Sequence, residues 1–117
     1  MHNILLGEIG EQMAVDYLTT IGYEILARRY RTCTGEIDII AKDSDILVFI
    51  EVKARRTTKF GRPAEAVTYA KRAKITKTAL CYLNQFHCSD SKCRFDIFEI
   101  FGSPNDGFKY NHIINAF

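Results

Sequence analysis

The sequence has no tryptophan and only two prolines in 117 residues, and it contains no low-complexity tract. Such a chain leaves little room for a disordered linker. It also has no apolar run near the roughly 18–20 residues that a helix needs to cross a bilayer. The first eight residues carry no Lys or Arg, and their apolar stretch covers residues 4–6 alone. We therefore expect a cytoplasmic protein with neither a signal peptide nor membrane contact.

Cysteine is present without a recognisable framework. The four cysteines form no CxxC pair and no regular spacing; they are Cys33, Cys81, Cys88 and Cys93. In the cytoplasm the expected state is four reduced thiols. A zinc site using His87, Cys88 and Cys93 is the alternative, although its spacing matches no usual ligand pattern and a fourth ligand is not evident.

Basic charge is absent from the start of the chain and concentrated in its middle. Residues 1–27 carry four acids and no Lys or Arg, whereas residues 28–77 carry thirteen Lys and Arg against six acids. The whole chain has a net charge of only +2. A basic middle in a near-neutral protein favours one face directed at a polyanion, although helix surfaces also carry Lys and Arg for solubility alone.

Composition and hydrophobic periodicity predict one α/β domain over residues 1–117. The apolar content of 47% and the charged content of 26% are typical of globular proteins. We expect helices at 8–21 and 64–86, strands at 23–27, 36–41, 46–53 and 94–101, and optionally a short last strand at 112–115. The order α-β-β-β-α-β, with residues 46–50 apolar on both faces, predicts a mixed central β-sheet flanked by α-helices.

Three charged side chains stand where apolar strands end. Asp38 interrupts the second predicted strand, and Glu51 and Lys53 follow the apolar residues 46–50. Because side chains alternate along a strand, Glu51 and Lys53 share one face of the sheet. A hairpin through residues 42–45 makes the two strands neighbours. We therefore expect Asp38 beside Glu51, where the apolar block gives way to a cleft.

This arrangement points to phosphate chemistry. Two adjacent carboxylates repel each other unless positive charge lies between them. Mg²⁺ is suitable because it binds a few carboxylate oxygens together with water and substrate phosphate. A nearby lysine can orient a water molecule or offset charge on the phosphate in the transition state. The alternative is a surface ion pair of Glu51 with Lys53 and an unrelated acid at Asp38.

Motifs along nearly the whole chain, from Gly7 to Phe117, also match one family. On these motifs the chain resembles the YraN-like family of small bacterial proteins, related to the PD-(D/E)XK nuclease superfamily and to archaeal Holliday-junction resolvases. The matching segments are Gly7-x-x-Gly10-Glu11 with Ala14 and Tyr17-Leu18, Gly22-Tyr23, Gly35-Glu36-Ile37-Asp38, Phe49-Ile50-Glu51-Val52-Lys53-x-Arg55, Ala64-Glu65-Ala66-Val67 with Lys71, Cys93-Arg94-Phe95-Asp96, and Asn115-Ala116-Phe117.

The resemblance implies a restriction-endonuclease-like core and a set of site residues. Asp38, Glu51 and Lys53 take the catalytic positions of the superfamily. Asp38 and Glu51, with Glu11 on the first helix, are the implied ligands of Mg²⁺, for which Mn²⁺ would substitute. Lys71 matches a further superfamily lysine on the helix after Glu-x-Lys. The chain departs from the superfamily pattern in having Ile37 where a proline nominally precedes the aspartate.

A basic loop follows the third predicted strand. We expect five side chains to contact nucleic-acid phosphates: Arg55, Arg56, Lys59, Arg62 and Lys71. A merely exposed, mobile loop is the alternative. Phe60 and Tyr69 lie close enough in sequence to stack on bases, although helix packing is the more ordinary role for Tyr69. Glu36 is expected to pair with a nearby arginine, with an outer role at the site as the alternative.

Three functions remain open on the sequence alone. The first is an endonuclease acting on branched or otherwise structured DNA, with a homodimer as one arrangement. The second is a nucleic-acid-binding module that keeps the fold but turns over poorly or not at all. The third is a protein-interaction domain whose basic face recognises an acidic partner.

Overall fold

A five-stranded sheet with one α-helix on each face forms the structure. The computed structural model describes residues 3–59 and 61–117, and side chains from Leu5 onward. In chain order the elements are α1 (Asn3–Thr20), β1 (Glu24–Thr32), β2 (Gly35–Asp43), β3 (Ile46–Arg55), a 3₁₀ turn (Pro63–Ala66), α2 (Tyr69–Gln85), β4 (Lys92–Ser103) and β5 (Gly107–Ile113). No helix in these described ranges is long and apolar enough to span a bilayer.

The strands lie side by side in the order in which they occur in the chain. β3 and β4 are parallel, and every other neighbouring pair is antiparallel. Parallel neighbours need a long crossover, and the segment from the 3₁₀ turn through α2 supplies it. The predicted mixed α/β sheet flanked by helices is therefore confirmed.

The predicted long helix at 64–86 is wrong, because two separate elements occupy it. A 3₁₀ turn covers Pro63–Ala66, and α2 begins only at Tyr69. Between them Val67 has a non-helical backbone, and the Thr68 side chain caps α2 by accepting a hydrogen bond from the Lys71 amide at 3.3 Å. Threonine before a helix satisfies an amide that has no partner inside the helix.

Other predicted bounds differ from the structure by a few residues. α1 begins before residue 8. The expected continuation of the first strand into Arg28, Arg29 and Arg31 is confirmed, since β1 ends at Thr32. The last strand lies at Gly107–Ile113 rather than at 112–115. Asn115 lies beyond its end and has a left-handed backbone, with a φ of 56°. Polar residues dominate the exposed strand β5, so alternation of apolar residues gave little sign of it.

Each helix covers its own face of the sheet. α1 packs Ala14 and Leu18 against a cluster that includes Val48 and Phe98. α2 packs Ile75, Ala79, Tyr82 and Leu83 against a second cluster on the opposite face, with Phe49 and Ile97 among its members. The central strand β3 therefore contributes to both clusters, as its apolar residues 46–50 predict.

The register of β1 against β2 shifts between Ile25 and Ala27, and the alternation of both strands breaks again at one facing pair further along. Arg28 pairs with Ile39, and Tyr30 pairs with Ile37, so Arg29 faces Asp38. Arg29 has a φ of 52°, and on both strands the residues around this pair shift face. On β2, Ile37 packs on the α2 side whereas Ile39 packs on the α1 side. Such irregularities re-aim a side chain beside a functional site.

Gly10 allows α1 to approach the sheet closely. A Cβ atom at this position would lie 2.9 Å from Cγ2 of the buried Ile100 and 3.3 Å from Cβ of Ala54, whereas a Cβ at Gly7 would meet nothing within 4 Å. Glycine costs about 1 kcal/mol relative to alanine inside a helix. Overpacking a tight core costs about 1–3 kcal/mol.

The two glycines of α1 should respond differently to alanine. We expect Gly7→Ala to raise the free energy of unfolding by up to about 1 kcal/mol, through helix propensity alone. Gly10→Ala should leave the protein less stable than Gly7→Ala by roughly 1–3 kcal/mol, because the methyl group displaces Ile100. Urea unfolding followed by circular dichroism measures both. Equal stabilities would contradict the close approach of α1.

Candidate active site

Asp38 lies in the gap where β2 and β3 separate. Paired residues of these strands run from Asp43↔Ile46 to Ile39↔Ile50. At the next position the Oδ2 atom of Asp38 accepts a hydrogen bond from the Val52 amide at 2.8 Å. The side chain thus replaces the strand contact that the irregularity at Arg29 and Asp38 removes. Asp38 is held in place by the backbone of the strand that carries Glu51.

The carboxyl groups of Asp38 and Glu51 are brought together. Burial, a hydrogen bond with Asp38 and the negative charge of Asp38, in that order of importance, together raise the pKa of Glu51 from 4.5 to about 9. At neutral pH without a bound cation, Glu51 is therefore protonated, and its carboxyl group is hydrogen-bonded with Asp38. Two half-buried carboxyl groups in contact disfavour each other's ionisation unless a positive charge compensates them.

Two lysines flank this pair on the α2 side of the sheet. The positive charges of Lys53 and Lys71 favour ionised Glu51 and partly oppose the rise of its pKa. The ammonium group of Lys53 in turn lowers the pKa of Lys71, and partial burial lowers it further. Lys53 comes from the strand of Glu51, and Lys71 comes from the first turn of α2. The site thus combines two carboxyl groups and two ammonium groups.

Glu11 is placed nearby but has other partners. Its side chain, nine-tenths buried, accepts hydrogen bonds from the guanidinium groups of Arg28 and Arg29 at 3.2–3.3 Å. The left-handed backbone of Arg29 allows both consecutive arginines to reach α1. Within residues 3–59 and 61–117, no three His, Cys, Asp or Glu side chains are arranged to hold one metal ion. Glu11 therefore does not join Asp38 and Glu51 in a three-acid cluster.

An open cleft of about 280 Å³ connects Asp38 with the first helix. Its walls include Glu8, Glu11, Arg29 and Asp38. Glu36 also lines this cleft and forms an ion pair with Arg31 at 3.3 Å. The predicted pairing of Glu36 with a nearby arginine is therefore confirmed. Asp38 is therefore accessible from the α1 side, whereas Lys53 and Lys71 lie towards the α2 side.

The basic loop after β3 is fixed to the sheet by Glu99. This side chain is fully buried and accepts hydrogen bonds from the Arg62 guanidinium, from the Ala64 amide at 3.1 Å and from Asn111 at 2.8 Å. Glu99 pairs with Lys53 in the β3–β4 register, so the loop is anchored beside the candidate site. Arg62, a predicted phosphate contact, donates a hydrogen bond to Glu99, so part of its guanidinium group is already engaged.

The other predicted nucleic-acid contacts remain at the surface. Arg55 and Arg56 are exposed, and Arg55 donates a hydrogen bond to the Ala54 carbonyl at 2.8 Å. Lys59 is exposed and is engaged by neighbouring groups. Tyr69 begins α2 and is 88% exposed, so the expectation that it packs in its helix is wrong. Phe60 lies outside the described residues.

Two acidic residues of β4 were given no role by the sequence analysis, although Asp96 lies in one of the segments that match the family. Glu99 is one, and Asp96 is the other. Asp96 is fully buried and accepts hydrogen bonds from Arg94 at 2.9 and 3.0 Å and from the Asn115 amide at 3.0 Å, and it lies 2.7 Å from Nε2 of His112. His112 is thus a buried packing residue. An acid interrupting an apolar strand, the signal that identified Asp38, was available at both positions.

The donor set of Asp38 and Glu51 suits Mg²⁺. Two half-buried carboxyl groups in contact mark a place where a cation would compensate charge. Mg²⁺ is commonly held by one or two carboxylates, with water and substrate phosphate completing its shell. By contrast, the cysteines suggest no such centre: all four are free, Cys33 and Cys93 are exposed, and His87, Cys88 and Cys93 form no metal-binding group in the described ranges.

Comparison with known proteins identifies the family. Residues 10–100 match the model of "Uncharacterised protein family UPF0102". A UPF0102 protein of Thermodesulfovibrio yellowstonii is 48% identical over 117 residues, covering 100% of this chain and 99% of the relative. Another from Symbiobacterium thermophilum is 45% identical over 112 residues, covering 96% and 95%, respectively. The chain therefore belongs to the UPF0102 family, the YraN-like family that its motifs indicated.

Proposed function

We propose that this protein is a Mg²⁺-dependent endonuclease of the PD-(D/E)XK type that hydrolyses phosphodiester bonds in DNA, with branched or structured DNA as its substrate. The observation that carries the proposal is the contact between Asp38 and Glu51 beside Lys53. Two carboxyl groups forced together at the edge of a core cost stability in the absence of a cation, so their placement needs a functional reason.

Each side chain has a distinct part in the proposed reaction. A Mg²⁺ ion held by Asp38 and Glu51 would polarise the scissile phosphate and offset its charge. Lys53 orients the attacking water and stabilises charge that develops on the phosphoryl oxygens. Lys71 adds positive charge at the start of α2, where backbone amides also favour an anion. Glu11 stays a proposed third ligand, which requires Arg28 and Arg29 to release it.

Nucleic acid is the proposed substrate because cationic side chains surround the site. Arg55, Arg56 and Lys59 follow β3 directly, and a cavity of about 300 Å³ lies between this segment and the 3₁₀ turn. Contacts of this type bind phosphates without reading sequence, and their strength falls with salt. The exposed ring of Tyr69 adds a surface on which a base can stack beside Lys71.

Replacing Lys53 by methionine tests the catalytic assignment. We expect Lys53→Met to lower the rate of DNA cleavage by about 10²–10³-fold, the usual cost of losing one group that stabilises the transition state. The assay compares linear, flapped and four-way DNA with Mg²⁺, Mn²⁺ or EDTA. Lys77→Met, an exposed lysine of α2, is the matched control and should cleave like the wild type. Equal rates for Lys53→Met and wild type would refute the assignment.

A DNA-binding module with little or no turnover is the second candidate. The pairing of Glu11 with Arg28 and Arg29 favours it, because only two carboxyl groups then remain at the site. Salt-sensitive DNA binding without cleavage on any substrate, in Mg²⁺ or Mn²⁺, would support this candidate and reject the endonuclease.

A further inference from the structure

A third cavity lies at the C-terminal end of β3, outside the proposed catalytic cluster. Its volume is about 350 Å³, and it lies between residues 56–58 and the turn that joins β4 to β5. Its lining includes Arg56, Phe101, Asp106, Phe108 and Lys109. Pockets that hold small ligands have volumes of about 300–1,000 Å³, so this cavity has room for one nucleotide.

Strand register places the cavity in line with the candidate site. Lys53 pairs with Glu99, and two residues further along Arg55 pairs with Phe101, which in turn pairs with Lys109. Because side chains alternate, Lys53, Arg55, Phe101 and Lys109 share one face of the sheet. From ordinary strand rise and spacing, the Cα atoms of Lys53 and Phe101 are about 8 Å apart. A nucleic-acid strand crossing this face reaches both places.

The side chains around the cavity are available to a ligand. Phe101 is half-buried, yet among the described residues it belongs to neither apolar cluster and makes no contact with another aromatic ring. Arg56 and Lys109 are exposed, and within the same residues no hydrogen bond or ion pair engages them. Asp106, by contrast, is held by Ser103 at the turn. One unpaired ring and two unpaired cations thus meet at one opening.

We propose that this cavity is a subsite for one unpaired nucleotide of a DNA strand, whose base stacks on Phe101 while Arg56 and Lys109 bind the adjoining phosphates. The subsite rests on the proposed nuclease function and specifies its substrate as DNA with a single-stranded part near the scissile bond. An aromatic ring flanked by cations is the usual means of binding single strands without sequence preference. A base inside a duplex is stacked on its neighbours and does not offer this face.

Binding measurements without cleavage test the subsite. Fluorescence anisotropy in EDTA gives the Kd of a fluorescein-labelled oligothymidylate and of a blunt duplex of equal length. We expect Phe101→Leu to weaken oligothymidylate binding by about 5-fold or more, through loss of stacking, with little change for the duplex. Arg56→Ala/Lys109→Ala should lower the slope of log Kd against log salt for the oligothymidylate by about 1.4. Lys77→Ala/Lys92→Ala removes two charges elsewhere and is the control; Lys92 begins β4 at the opposite end from Phe101.

The outcomes separate the subsite from the catalytic proposal. Unchanged oligothymidylate binding by both variants, or equal losses in the control pair, overturns the subsite even if the wild type cleaves DNA. Selective losses for the single strand support it even if no cleavage is found, which would reject the endonuclease alone. Because Arg56 and Lys109 are exposed, their double variant tests the subsite even if Phe101→Leu folds poorly.

Discussion

We expect Glu51→Gln to lower the proposed metal-dependent DNA cleavage by roughly 100-fold or more, while making the metal-free protein more stable at neutral and alkaline pH. The loss follows because an amide is a poor ligand for Mg²⁺ compared with a carboxylate, and even changes behind a metal ligand cost 10–100-fold. The gain follows because glutamine can donate a hydrogen bond to Asp38 without first taking up a proton. Opposite effects on activity and stability are typical of strained functional sites.

The free energy of unfolding of the wild type should depend on pH because of the same Glu51 carboxyl group. The pKa of Glu51 is about 9 in the folded protein and near 4.5 otherwise, so between these values the folded state binds a proton that the unfolded state does not. The free energy of unfolding should therefore fall as pH rises through this window. Glu51→Gln should flatten that fall. Saturating Mg²⁺ should also flatten it in the wild type, since a bound cation stabilises the ionised pair.

Urea unfolding at several pH values, with EDTA or Mg²⁺, measures these effects beside the cleavage assay. Glu24→Gln is the matched control, because Glu24 is exposed and begins β1, far from Asp38 along the sheet. It should leave activity and the pH dependence unchanged. A destabilised Glu51→Gln protein that still cleaves DNA at the wild-type rate would show that Glu51 has only a structural role.

Asp96→Ala should destabilise the fold by about 3–5 kcal/mol, the largest stability loss we expect from a single change. Removing one partner of a buried ion pair leaves the other charge without compensation. Here the loss affects both Arg94 and His112, whose side chains are only 14% and 3% exposed, and it frees the Asn115 amide. Arg94 retains Asp43 at 3.0 Å, which limits the effect.

The same network predicts how the protein unfolds in acid. Burial alone would raise the pKa of Asp96, but hydrogen bonds from His112, Arg94 and the Asn115 amide together bring it below its ordinary value. A carboxyl group with a lowered pKa stabilises the fold at pH values above its unfolded pKa, and this stabilisation is lost as pH falls through the folded pKa. Asp96→Ala should therefore reduce the steepness of acid unfolding.

Urea unfolding at neutral pH and an acid titration followed by circular dichroism test both statements. Asp45→Ala is the control: its side chain is 72% exposed and pairs with the equally exposed Lys92. Exposed pairs of this kind contribute about 1 kcal/mol or less. Similar losses for Asp96→Ala and Asp45→Ala would mean that the buried network contributes no more than a surface pair.

The sequence predicted the elements that have strong periodicity. The apolar residues 46–50 marked the central strand, and the hairpin before them placed Asp38 beside Glu51 because adjacent strands with a short turn must pair. Lys71 came from family resemblance rather than from spacing. The prediction of a single long helix was wrong because apolar spacing alone did not reveal the break between residues 66 and 69. That break depends on local features, namely the turn that begins at Pro63 and the capping hydrogen bond of Thr68.

Long-range partners could not be read from spacing. Glu11 pairs with both Arg28 and Arg29, and the backbone of Arg29 adopts a positive φ where it does so. A positive φ is uncommon for a residue with a side chain, so the identity of an arginine gives no sign of it. Glu99 and Arg62 are far apart in the chain, so nothing in the sequence joins them. An acid within an apolar strand does indicate a buried partner, because an uncompensated buried charge is costly. This pattern is present at Asp96 and Glu99 as well as at Asp38.

The facing irregularities at Arg29 and Asp38 determine which deletions the sheet can tolerate. The pairing register stays constant from Ala27↔Ile40 to Thr32↔Gly35, whereas the faces of both strands shift at Arg29 and Asp38, which lie opposite each other. Losing one of them alone would send every following side chain of that strand to the wrong face. Losing both together would restore regular alternation from residue 27 onward while removing the aspartate of the candidate site. A paired deletion of Arg29 and Asp38 is therefore expected to remove the candidate site and keep the sheet.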